Sequence, residues 1–92
     1  MDNLTEEQIV QIGTGAEAIL GSDVYQFLMN YLHTEQMAKI IQSKPHETKT
    51  RESAYYAAQA LQSFNDSLAQ FTQQAKAIAE AQAEADEEAD VE

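Results

Sequence analysis

The sequence predicts an all-α fold: an antiparallel helical hairpin with an extra N-terminal helix and a long, coiled-coil-like C-terminal helix. Three observations predict it. Ala, Gln and Glu dominate the second half of the chain, and β-branched residues do not cluster, which favours helix over strand. Apolar residues recur at helical spacing in three segments, about 5–20, 22–43 and 48–82. The single proline, Pro45, lies in a polar stretch between the second and third segments, where the residue before it avoids the helical region.

The first segment opens at Thr5, with Gln8 three residues on. That pair is the capping-box pattern. Ile9, Ile12, Ala16, Ile19 and Leu20 then suit one helical face. Gly13 and Gly15 interrupt it. Each costs about 1 kcal/mol relative to alanine in a helix, so a bend or split is expected there. Gly21 ends this segment, and Ser22 or Asp23 caps the next. Val24, Phe27, Leu28, Tyr31, Leu32, Ala38 and Ile41 form the apolar stripe of the second segment.

The third segment has the strongest pattern. Ala54, Ala57, Leu61, Phe64, Leu68, Phe71, Ala75 and Ile78 are spaced alternately by three and four residues. This is the signature of a coiled-coil seam. At 1.5 Å per residue the third helix, about 52 Å, outruns a second helix of about 33 Å. A short turn makes the two antiparallel neighbours. The start of the second helix then falls opposite residues 68–71. Phe71, Ala75 and Ile78 are left for the first helix or a second chain to cover. Phe64, Leu68, Phe71, Ala75 and Ile78 are therefore the expected partner-binding residues.

The chain has 92 residues, 16 acids, five bases and a formal net charge of −11. It has room for one small domain, expected over residues 1–79. With no cysteine, disulfides and Cys-based zinc sites are excluded. Residues 80–92 hold seven acids and no base, leaving nine acids against five bases in the rest. Acids at a helix C-terminus oppose the helix dipole, so this tail is expected to fray or be disordered. Lys39, Lys44, Lys49 and Arg51 surround the Pro45 turn instead. Candidate electrostatic contacts are Lys44, Lys49 and Arg51 at the turn, and Glu84, Glu87 and Glu88 in the tail.

Catalytic and cofactor signals are weak. His33 and His46 have no metal-ligand spacing around them, and Gly13-Thr14-Gly15 follows no strand. No enzyme activity, cofactor, metal or small-molecule substrate is expected. Tyr55-Tyr56, with Tyr25 and Tyr31, could stack on bases, but only Lys49 and Arg51 lie close. Core or interface tyrosines fit better, and the net charge repels phosphate. No signal peptide or membrane span is read in the chain, so the expected location is the cytoplasm of the producing cell, with the virion as a second location.

The virion enters through a resemblance. The runs Glu17-Ala18-Ile19-Leu20-Gly21-Ser22-Asp23-Val24-Tyr25-Gln26-Phe27, Ser43-Lys44-Pro45-His46-Glu47-Thr48-Lys49-Thr50-Arg51-Glu52 and Tyr55-Tyr56-Ala57-Ala58-Gln59-Ala60-Leu61 together resemble small helical proteins of tailed bacteriophages encoded near head and portal genes. In those proteins a short helix, a Pro-containing polar turn and a long alanine-rich helix follow in this order. The resemblance spans Gly15 to Ala79 and implies a non-enzymatic part in virion structure or assembly, through self-association or binding to a larger virion protein. Gly13, Gly15 and the acidic tail have no counterpart in it. Two other functions compete with it. One is an acidic nucleic-acid mimic that inhibits a host DNA- or RNA-acting protein. The other is a small helical adaptor of a bacterial cell.

Overall fold

A computed structural model describes residues 3–90, with side chains described for 3–87. Three helices account for most of it: α1 (Glu6–Leu20), α2 (Asp23–Gln42) and α3 (Thr48–Asp90). Among the described residues there is no strand, so the fold is all-α.

The helix ends follow local chemistry. Thr5 Oγ1 accepts from the Gln8 N–H at 3.1 Å, and Gln8 Oε1 accepts from the Thr5 N–H at 2.9 Å. This reciprocal pair satisfies donors that a helix start otherwise leaves unpaired. Ser22 caps α2, its Oγ accepting from the Tyr25 N–H at 3.3 Å. Ser43 leaves the helix with extended backbone, and its hydroxyl donates to Ile40 O at 2.7 Å. Glu47 Oε1 then accepts from the Lys44 N–H at 2.7 Å, which shapes the turn into α3.

Contacts group the chain into two units: Met1–Leu20 with Ser67–Glu92, and Gly21–Asp66. The sequence suggested one domain over 1–79; here α3 contributes its first part to one unit and its second part to the other. In the α1 unit, Gly13 and Ala16 are buried on α1, and Thr72 and Ala75 on α3. A Cβ on Gly13 would collide with Ala75 Cβ and the Phe71 carbonyl. The missing side chain therefore lets the two backbones approach closely. That is why α1 runs unbroken through Glu6–Leu20, where two glycines predicted a bend or split. The propensity cost remains, but packing outweighs it. Gly15, by contrast, is exposed and meets nothing within 4 Å.

In the α2 unit, Ala54 is buried at the contact face of α3. Tyr25 donates its hydroxyl to Asn65 Oδ1 at 2.9 Å, and its ring centroid is 6.4 Å from that of Phe64. The start of α2 thus meets residues 64–65, about one turn earlier than the 68–71 expected. Arg51 sits at the other end. It donates to Ser43 Oγ (3.1 Å), Lys44 O (2.8 Å) and Pro45 O (3.1 Å).

One expectation for α3 needs correction. The helix continues through Glu80, Glu84 and Glu87 to Asp90, where fraying was expected. Acids oppose the dipole only near the last turn, and the Ala, Gln and Glu of this segment are good helix formers. Most heptad positions are covered: Ala54 and Ala75 are buried, and Ala57, Leu61, Leu68, Phe71 and Ile78 are half-buried. Ala54 and Thr72 are both buried and lie 18 residues apart, which is five full α-helical turns. An α-helix drifts about 20° per heptad from a strict seven-residue repeat. Phe64 therefore falls off the buried line, and Asn65 and Thr72 fall on it.

Candidate functional site

Helix α2 is apolar on two faces. Tyr25, Met29, Gln36 and Ile40 lie on one side and are half-buried. Val24, Phe27, Leu28, Tyr31 and Ile41 lie away from that side and are exposed. Val24 is 67% exposed, Phe27 66% and Tyr31 57%. A helix apolar all round is a buried helix in most contexts, so this outer face is the most unusual surface of the α2 unit. The rings of Phe27 and Tyr31 stack 6.2 Å apart at 20°. Next to them is an open groove of about 390 Å³ lined by Phe27, Asn30, Tyr31, Thr34, Glu35 and Ala38. The exposed residues Val24, Phe27, Leu28, Tyr31 and Ile41 belong to the apolar stripe expected of the second segment. The half-buried side of α2 is instead the one carrying Tyr25 and Met29.

The five expected partner-binding residues fare differently. Phe64 is 56% exposed, though its ring rests near Tyr25. Leu68, Phe71 and Ile78 are half-buried. Ala75 is buried against Gly13, so it is a packing residue inside the α1 unit and offers no free contact surface. The overhang that left α1 or a second chain as its cover is met by α1 in that unit.

The charged candidates also separate. All described donations of the Arg51 guanidinium go to Ser43, Lys44 and Pro45, which makes it a clamp on the turn. Lys44 and Lys49 are exposed. Lys49 lines an open cleft of about 600 Å³ with Gln36, Lys39 and Ala54. Glu84 and Glu87 are exposed along helical backbone, and the Glu88 side chain lies outside the described residues. Tyr55 and Tyr56 are exposed and tilted against each other at 5.9 Å. Tyr55 accepts a bond from the Gln59 amide at 3.1 Å.

Among the described residues, no group of three or more His, Cys, Asp or Glu is placed to hold a metal ion. No helix among them is long and apolar enough to cross a membrane. Nothing matches the chain among protein-family models, curated proteins or solved structures.

Proposed function

We propose that this protein is a non-enzymatic protein–protein interaction module that works by helix packing and self-association. The observation that carries the reading is the outer face of α2, where Val24, Phe27, Leu28 and Tyr31 form a contiguous exposed apolar surface. Such a patch, rimmed by polar residues, marks an interaction site in most soluble proteins. The finer architecture proposed is an antiparallel helical hairpin of α2 with the first part of α3. Tyr25 meeting Asn65 and Arg51 meeting Ser43 support it. The resemblance to small proteins encoded near phage head and portal genes supports a role in virion assembly, with a larger virion protein as a further partner.

The nucleic-acid mimic remains as a second reading because α3 stays helical to Asp90. Glu80, Glu84 and Glu87 then share one helical face, which a frayed tail would not provide. One experiment separates the two. The mass of the full chain is measured by light scattering across concentrations, beside a Glu80→Gln, Glu84→Gln, Glu87→Gln variant. Assembly predicts a mass above 10.2 kDa that rises with concentration in both proteins. The mimic predicts a monomer that displaces DNA or RNA from a binding protein, with displacement lost in the variant. A monomer that displaces nothing overturns both.

A further inference from the structure

The outer face of α2 contains both a ridge and a matching depression. The stacked rings of Phe27 and Tyr31 form the ridge. One to two turns later, Thr34 and Ala38 are short side chains, and they line the 390 Å³ groove with Asn30 and Glu35. Residues 27, 31, 34 and 38 are spaced by four, three and four, so ridge and groove follow a single stripe. A two-fold contact sets residue i against j and j against i. Phe27 can lie over Thr34 and Ala38 of another α2 only if the two helices run antiparallel. A parallel, in-register pair would set ridge on ridge and leave both grooves unfilled.

We infer that a second copy of this chain seats on the outer face of α2, antiparallel, with the two-fold axis near Tyr31. The inference rests on the self-association reading above and assigns it a surface. A whole aromatic side chain buries about 150–250 Å², so the exposed parts of Phe27, Tyr31, Val24 and Leu28 offer roughly 500 Å² per copy on that scale. Two copies then bury up to about 1,000 Å², the size of a weak, transient interface. Charge allows the approach. Glu35 is the one charged residue lining the groove, and charge depletion is usual at interface centres. Glu35 lies at the C-terminal side of Tyr31, so the two-fold places the two copies of it on opposite sides of the axis.

The chain has no cysteine, so single cysteines report the geometry directly. Under mild oxidation Tyr31→Cys forms a disulfide-linked dimer of the full chain. Phe27→Cys links to Ala38→Cys when the two variants are mixed, and does not link to itself. Phe27→Glu weakens self-association, read by sedimentation equilibrium, by at least about 30-fold, the threshold for an interface hot spot. Its circular dichroism stays that of the wild type, because Phe27 is exposed. Self-linking of Phe27→Cys, or unweakened association of Phe27→Glu, overturns this pairing and leaves self-association standing. A wild-type chain that stays monomeric up to ~1 mM, the weak end of specific affinity, overturns both.

Discussion

The two units use α3 differently. In the α1 unit the contact is made by the smallest side chains available, with Gly13 and Ala16 against Thr72 and Ala75. In the α2 unit Ala54 is buried too, but long side chains also reach across, such as Tyr25 to Asn65 and Arg51 to the turn. Close approach brings backbone atoms together and leaves little room for change. Long-range bridging leaves freedom, and it leaves the far face of α2 uncovered. The difference shows how a short chain divides its work. One region fixes helix spacing by sterics, while the other leaves apolar surface exposed.

The largest expected effect tests the steric claim. Gly13→Ala places a methyl where the Phe71 carbonyl and Ala75 Cβ already lie. A backbone carbonyl cannot swing aside as a side chain can. The gain of about 1 kcal/mol in helix propensity is outweighed, and a net loss of about 1–3 kcal/mol is expected, as for overpacked cores. Gly15→Ala is the control two residues away, where nothing lies within 4 Å. There the propensity gain acts alone, and stability rises by up to about 1 kcal/mol. Urea midpoints for the two variants should move in opposite directions. Movement in the same direction breaks the contrast between the units.

A smaller effect is expected at the bridging end. Arg51→Lys keeps the charge but loses the planar fork that serves three oxygens at once. Lysine's single ammonium cannot reproduce that geometry. The expected cost is about 1–2 kcal/mol, the range for hydrogen bonds to a charged group with some exposure. Hydrogen exchange should localise the loss to the turn at residues 43–47. If exchange speeds up throughout α1 as well, the two units are less separable than their contacts indicate.

Helix identity was legible in the sequence because caps and stops are local. Thr5 with Gln8, Ser22 before Tyr25 and Pro45 after Ser43 each act within a few residues. Which face of a helix is covered is not local. The apolar stripe of α2 includes both Tyr31 and Leu32, and no single-sequence rule says that α3 takes the side of Tyr25 and Met29. Gly13 read as a weak point because propensity is a single-helix quantity, whereas its value comes from a partner 58 residues further on, at Phe71. The heptad on α3 was a real pattern, but two different helices pack along its length, and the 3.6-residue period placed Asn65 and Thr72 inward. Among the candidate site residues, the seam pattern held both Phe64, which is exposed, and Ala75, which α1 covers, and only the partner helix tells them apart.

The smallest effect bears on the uncovered surfaces. Lys76 and Glu17 form an ion pair across the α1 unit at 3.4 Å, with side chains 62% and 58% exposed. Exposed pairs contribute little, because water and salt screen them and ordering two long side chains costs entropy. Lys76→Gln should therefore change stability by less than about 0.5 kcal/mol, and that small change should vanish in high salt. The measurement is sensitive in one direction only. A loss above about 1 kcal/mol that persists in salt would require the pair to be shielded from water. Among the described residues nothing shields it, so the cover would have to be another copy. The α1 unit, and not the outer face of α2, would then be where copies meet, and the division of work between the two units would be reversed.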